Sequence, residues 1–198
     1  MRALFATCAL LLLVSSQVQA QDESPPEVIE SAVSLLAEKM EGRREELAAD
    51  SAALYALIEE ILLPRFDRKL SAQLVLAKHW RTASEEQRDR FTQAFYQVLL
   101  GRYAEGLLEF DQDRVTIEAF RGSTDKPRAK VKTTVKLNDG TTVAVDYDLV
   151  KRDAGWLLFD VVIEGVSYVR NFRTEIDTEV RSTSLDAVIE RLEAEAGI

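Results

Sequence analysis

Few residues in this sequence have side chains that could carry out chemistry. His79 is the only histidine, and it lies beside Trp80 near the predicted end of a helix. A transition-metal site needs three or four histidine, cysteine or carboxylate ligands, and a single histidine with the single Cys8 does not supply them. We therefore interpret His79 as a partly buried aromatic-like residue or a surface polar group. We expect no metal and no cofactor.

A serine near the end of the last predicted strand lies in the sequence GVSYV, at 165–169. This sequence partly matches the nucleophile elbow of serine hydrolases, but that elbow requires glycine at its fifth position, where this chain has Val169. A hydrolase would also need His79 as its base. We interpret Ser167 instead as a helix cap, whose hydroxyl accepts a backbone N–H where the chain leaves the strand.

Two carboxylates, Asp146 and Asp148, flank Tyr147 on the polar face of a predicted strand. Paired carboxylates can act as acid and base, but the two-residue period of the strand places these beside the lysines of a neighbouring strand. A solvated pattern of cross-strand charges is the interpretation that we favour. Since there is no glycine-rich phosphate loop either, we do not predict an enzyme.

Three polar residues, Arg170, Asn171 and Arg173, directly follow an apolar strand and lie near a predicted helix start. One interpretation is functional: they contact a lipid headgroup or a partner at the mouth of a pocket. The alternative is structural: the arginines pair with a nearby carboxylate, such as Asp160, Glu164 or Glu175.

The first twenty residues, MRALFATCALLLLVSSQVQA, have the features of a secretory signal peptide. A basic residue is followed by an apolar run that is too short to span a bilayer and by a small-residue site that predicts cleavage after Ala20. A retained anchor is the alternative. Cys8 lies in this segment, so residues 21–198 contain no cysteine and no disulfide, which fits an exported protein of the bacterial periplasm.

Charge excludes one class of partner. Removal of Arg2 with the leader leaves 24 of the 25 basic residues against 34 acidic residues, a net charge of about −10. Such an acidic chain is not suited to nucleic acid or to unaided docking on anionic lipid headgroups. After Ala20 no apolar run is long enough to cross a membrane. The length of the chain is enough for one domain with a substantial core, so we predict a single domain over 21–198, and we expect a monomer.

The order of the predicted elements is helices, then strands, then helices. Apolar residues recur at helical spacing up to Leu108, and Pro64 ends or kinks one of the helices. Ser84 is a strong helix cap, with Gln87 three residues later. The predicted helices cover 28–40, a second one that ends at 62 and is capped by Asp50 or Ser51, 66–80, 84–108, about 166–180 and a last one that begins near 183 or 184.

Residues from Arg114 onward alternate between apolar and polar, with the period of strands. They predict a four-stranded antiparallel meander over 115–119, 129–137, 143–149 and 156–163, with turns at NDG and RDAG. The fold class is therefore α+β, with helices on one face of a curved sheet. The helices have more apolar faces than one sheet needs, which permits an internal cavity; a tightly filled core is the alternative.

Several segments together resemble the MlaC family, also called the toluene-tolerance family. They are VLAKHWRTASEEQRDRFTQAFYQVLLGRYAEGL at 75–107, VAVDYDLVKRDAGWLLFDVVIEGVSYVRNFR at 143–173 and SLDAVIERL at 184–192. The sequence departs from the family at Ala77, where the family usually has glycine, at RTEI (173–176) and at STSLD, which lacks the common glycine before Leu185. One interpretation is that these departures change only local turns. The other is that the chain is a paralogue with a different partner or lipid.

The resemblance implies a fold and a function. The fold would be a cone-like curved sheet wrapped by six to seven helices, similar to the nuclear transport factor superfamily, with an internal apolar pocket. The protein would carry glycerophospholipid through the periplasm, between an outer-membrane lipoprotein–porin complex and an inner-membrane ABC transporter that bears an MCE-domain ring. The bound phospholipid would be cargo, so no cofactor is implied.

Within that framework, we predict lipid-binding residues from their face and segment. They are Leu76, Trp80, Phe95, Leu99, Tyr103, Val145, Tyr147, Phe159, Val161, Val166 and Tyr168, with Arg170, Asn171 and Arg173 at the pocket mouth. Strand 156–163 would be apolar on both faces because helices cover one side and further chain or a lipid tail covers the other. Two alternatives remain: a lipid-free periplasmic adaptor or chaperone, and an enzyme for a small apolar substrate that uses Asp160.

Overall fold

The computed structural model describes residues 23–108, 111–137 and 139–198. The predicted signal peptide at 1–20 and Asn138 of the predicted turn lie outside these residues. Six helices precede the sheet and two follow it. Their bounds are α1 Pro25–Met40, α2 Arg44–Ala49, α3 Ser51–Leu62, α4 Arg68–Leu76, α5 Lys78–Thr82, α6 Glu85–Leu108, α7 Tyr168–Ser182 and α8 Leu185–Ala196, with short 3₁₀ turns at Leu63–Arg65 and Gln112–Arg114.

The sheet is an antiparallel meander, and the predicted α+β fold is confirmed. Its strands are β1 Val115–Ile117, β2 Arg128–Lys136, β3 Thr142–Arg152, β4 Gly155–Ile163 and β5 Val166–Ser167, which pair in chain order. The predicted count of four strands is one too few, because Glu164 and Gly165 both take positive φ and form a two-residue turn that pairs β5 with β4. The helix that was predicted from 166 therefore begins at Tyr168.

Helix ends follow the polar residues that cap them. The Ser84 N–H donates to the side chain of Gln87, and the Gln87 N–H donates back to the Ser84 hydroxyl, which confirms the predicted start of α6. The Ser167 hydroxyl accepts the Arg170 N–H at 3.1 Å, so its predicted role as the cap of α7 is also confirmed. The short α2 was not predicted; its six residues bury only Leu47.

The predicted helix over 66–80 is broken in two. Ala77 has φ 49° and ψ −110°, a conformation that ends α4 and turns the chain into α5. A side chain with a Cβ rarely adopts this conformation, whereas glycine reaches it readily. Alanine at this position therefore carries a local strain.

A β-bulge lies in the middle of the sheet. Asp148 is opposite Asp160, but Leu149 is opposite Leu158, so Phe159 is an extra residue in β4. The segment before α4 covers the outer edge of β4 here, since the Asp67 N–H donates to the Leu158 carbonyl at 2.8 Å. Helices α1, α4 and α7 all contact β4, and Phe66 bridges to Leu158, so several elements cover this apolar strand.

Replacing Ala77 with glycine tests the strain. We expect Ala77→Gly to raise the free energy of unfolding by about 1 kcal/mol, because glycine relieves a conformation that costs an L-residue at least that much. The matched control is Ala187→Gly on the exposed face of α8, which should lower stability by about 1 kcal/mol. Urea unfolding measures both; a loss of stability in both variants would contradict the strain.

An apolar cavity as the candidate functional site

The buried apolar residues form three separate clusters. The first contains residues of all five helices from α4 to α8, around Phe91 and Phe95. The second contains residues of α1, α2, α3 and α6, around Met40, and the third joins α1 to the sheet around Leu149 and Trp156. The clusters do not merge into one filled core. A cavity of about 410 Å³ lies between them, a volume within the usual range of small-ligand sites.

Eight of the eleven predicted lipid-binding residues line this cavity. They come from α6, β3, β4 and the start of α7: Phe95, Leu99, Tyr103, Val145, Tyr147, Phe159, Val161 and Tyr168. The other three lie elsewhere. Leu76 and Trp80 belong to the cluster that joins α4 to α8, and Val166 is 57% exposed. Contact of any of these residues with lipid remains a prediction.

Sequence reasoning missed the contribution of the first helices. Val28, Ile29, Ala32 and Val33 of α1 line the cavity, as do residues of α3. Their apolar stripe was visible at helical spacing in the sequence. Nothing in that pattern distinguishes a cavity wall from a filled core, because both need the same residue types.

The polar groups on the cavity wall are held by the protein itself. The Ser71 hydroxyl donates to the Phe159 carbonyl at 2.6 Å, and the Arg65 guanidinium donates to the Ile61 carbonyl at 2.7 Å. Throughout the described residues, every buried side-chain nitrogen and oxygen has a hydrogen-bond partner. The wall therefore offers a ligand apolar surface and few free polar groups.

Asp160 is the one carboxylate of the wall, and it is 7% exposed. Its two oxygens accept the Ser167 hydroxyl at 2.5 Å and the Val169 N–H at 3.0 Å. Asp160 thus fastens β4 to the first turn of α7. Both oxygens of the carboxylate named in the enzyme alternative therefore have partners within the protein.

Tyrosines mark the way from the cavity to solvent. Tyr103 lines the cavity but is 44% exposed, and its ring meets that of Tyr168 edge-on at 5.3 Å between centroids. Burial raises the pKa of Tyr147, and burial together with the charge of Glu59 raises that of Tyr96 to about 12. A low-dielectric wall disfavours phenolate, which is what an apolar site requires.

The three predicted mouth residues lie along the first turns of α7. Arg170 and Asn171 are exposed. Arg173 donates to the Leu74 carbonyl at 2.7 Å and so satisfies a carbonyl in the last turn of α4, where the break at Ala77 ends the helix. Arg173, which was predicted to bind a headgroup or a carboxylate, therefore joins α7 to α4, and its contact with a headgroup remains a prediction.

The remaining candidate residues contact side chains of neighbouring elements. His79 Nε2 and Lys78 Nζ each lie 2.8 Å from the same oxygen of Asp177, and these two contacts hold the pKa of Asp177 down at about 2. Asp148 lies 2.8 Å from Lys130 of the adjacent strand, as the cross-strand interpretation expected. Within the described residues there is no cluster of potential metal ligands and no helix long and apolar enough to cross a membrane.

Together these features define an α+β protein with an apolar cavity between its antiparallel sheet and its helices. The sequence profile of the MlaC protein family matches residues 30–194. The chain belongs to this family.

Individual relatives agree with the family assignment. The chain is 26% identical over 154 residues to the toluene tolerance protein ttg2D of Pseudomonas putida, which covers 77% of this chain and 71% of that protein. It is 19% identical over 193 residues to the intermembrane phospholipid transport system binding protein MlaC of Haemophilus influenzae, or 96% and 90% of the two chains.

A solved structure has the same fold. The phospholipid-binding protein from Ralstonia solanacearum, determined in complex with a phospholipid, superposes with a TM-score of 0.77 at 22% identity. The match covers 86% of this chain and 95% of that one.

Substitution of Asp160 tests its structural role. Asp160→Ala should lower the free energy of unfolding by about 2 to 3 kcal/mol, because the Ser167 hydroxyl and the Val169 N–H lose their buried acceptor. Asp160→Asn keeps one acceptor oxygen and should lose less than half of that. Urea unfolding of both variants is the measurement; equal losses would mean that the hydrogen bonds to this carboxylate do not stabilise the junction.

The raised tyrosine pKa values predict a loss of stability in alkali. A pKa raised by folding contributes stability that is complete below the unfolded value of about 10 and is lost as the pH rises through the folded value. We expect unfolding free energy to fall between about pH 10 and about 12, by about 1 to 2 kcal/mol for Tyr96 after solvent screening. Tyr96→Phe should remove the part of this loss in unfolding free energy that is due to Tyr96. Tyrosinate absorbance showing every tyrosine titrating near pH 10 in the folded protein would contradict this.

Proposed function

We propose that this chain is a periplasmic phospholipid carrier. Its cavity would hold the acyl chains of a glycerophospholipid, and the headgroup would lie toward the mouth at Tyr103 and Tyr168. The observation that carries the proposal is the wall itself: an apolar cavity of about 410 Å³ whose polar groups are already bonded within the protein. The Haemophilus influenzae relative is named for phospholipid transport, and the Ralstonia solanacearum structure contains a phospholipid, which supports the choice of ligand.

The wall of the cavity favours an apolar occupant. The cavity opens to solvent near Tyr103, so its apolar wall leaves water only when a ligand covers it. Each methylene that leaves water contributes roughly 0.8 kcal/mol, and two long acyl chains would contribute on the order of 20 kcal/mol before the costs of ordering. Ligand binding would therefore stabilise the fold strongly.

The same numbers constrain how cargo moves. A lipid held by that much apolar contact does not escape into water, so transfer requires docking to an acceptor that offers an apolar path. We propose that the donor and acceptor are the outer-membrane lipoprotein–porin complex and the inner-membrane ABC transporter with its MCE-domain ring. This mode of action needs neither catalysis nor a cofactor on this chain, and it places residues 21–198 in the periplasm after cleavage at Ala20.

Native mass spectrometry of the mature chain, followed by lipid extraction, tests the proposal. We expect a bound mass of phospholipid size that solvent extraction removes.

Ala32→Phe with Val145→Phe should fill the cavity from two walls and reduce bound lipid at least ten-fold. The free energy of unfolding of the lipid-free protein should change by less than about 1 kcal/mol, because there is space for the added rings.

The control places the same ring in a filled part of the core. Ala94 is fully buried in the cluster that joins α4 to α8 and does not line the cavity, so Ala94→Phe should destabilise by about 1 to 3 kcal/mol. A bare wild-type mass that persists after exposure to phospholipid vesicles, with equal destabilisation by both sets of substitutions, would reject the carrier. That result would favour the lipid-free adaptor or chaperone.

A further inference from the structure

A second depression, which we call the basic groove, lies between β2 and the loop 118–126, and has a volume of about 890 Å³. Five exposed cationic side chains line it: Arg121, Lys126, Arg128, Lys130 and Lys132. Glu118 and Asp148 are its two acidic residues. The groove therefore has a balance of three positive charges on a chain whose net charge is −9.

Most of this positive charge is available to a partner. Lys130 pairs with Asp148 at 2.8 Å, and the Arg128 guanidinium lies over the Phe159 ring. Among the described residues, Arg121, Lys126 and Lys132 form no ion pair. An acidic ligand would therefore meet unpaired cations here, although the chain as a whole repels it.

The groove also exposes the edge of a strand. Pairing of β1 with β2 ends at Ile117 and Thr133, and the last backbone bond runs from the Glu118 N–H to the Lys132 carbonyl at 2.9 Å. Backbone groups alternate along an antiparallel strand, so the N–H and C=O of Lys130 point to the same edge as those of Lys132. Within the described chain no backbone group bonds to Lys130 on that side.

We propose that the basic groove binds an extended acidic segment of a partner protein, which continues the line of β1 by pairing with β2 at Lys130. A polypeptide satisfies both features, since its backbone bonds to the open edge and its carboxylates meet the unpaired lysines. A membrane surface satisfies only the charge, because it offers no backbone groups to the open edge. The proposal does not depend on the identity of any cavity ligand.

The probe is a fluorescein-labelled peptide of about ten residues that alternates glutamate and valine, compared with the same peptide carrying lysine for glutamate. By fluorescence anisotropy, the acidic peptide should bind at least ten-fold more tightly than the basic one. Lys126→Glu with Lys132→Glu should weaken it at least ten-fold. Lys39→Glu with Lys69→Glu changes the net charge equally on exposed residues outside the groove and should weaken it less than two-fold.

Hydrogen exchange distinguishes strand addition from simple charge attraction. The Lys130 amide should exchange at least ten-fold more slowly with the acidic peptide present, while the amides of α8 do not change. Equal weakening by the two charge-matched double variants, or no protection of Lys130, would overturn the proposal. The proposal would also be overturned if the protein bound vesicles of anionic phospholipid through Lys126 and Lys132 but did not bind the peptide. Unchanged phospholipid loading of the groove variant would separate this result from any failure of the carrier function.

Discussion

The structure depends on keeping the sheet and its helices apart. Apolar faces in contact normally close until side chains fill the space between them, but here three clusters pack separately and leave a cavity among them. Hydrogen bonds of buried polar side chains at the border of the cavity, which we call polar fasteners, oppose collapse. Asp160 joins β4 to α7, and Ser71 joins α4 to the bulge at Phe159. Each fastener bonds to backbone or to a buried hydroxyl, so it sets a distance that apolar packing alone would not set.

These fasteners also determine the chemistry of the cavity. A serine and a carboxylate on the wall of a pocket are ordinary starting points for catalysis. Here their bonds with the Phe159 carbonyl, the Ser167 hydroxyl and the Val169 N–H are internal to the fold. The polar groups that hold the frame together are therefore already bonded within the protein, and the space that remains is bounded mainly by apolar side chains.

Sequence reasoning succeeded where a local rule decides the structure. Two-residue alternation located the main strands, and the side chains of Ser84 and Ser167 located two helix starts. It failed where tertiary contacts decide. The extra residue at Phe159 depends on the register with β3, which alternation within β4 does not reveal. Leu76 and Trp80 share their helical stripe with true wall residues, so only packing could show that they belong to a filled cluster.

The bulge connects the two sides of the sheet. Phe159 lines the cavity and also the basic groove, where the Arg128 guanidinium lies 5.3 Å from its ring centroid. One residue therefore separates an apolar interior from a charged exterior, and the hydrogen bond from Ser71 to its carbonyl fixes its backbone. Because that fastener is independent of the groove lysines, a partner can contact the charged side without breaking the bonds that hold the cavity open.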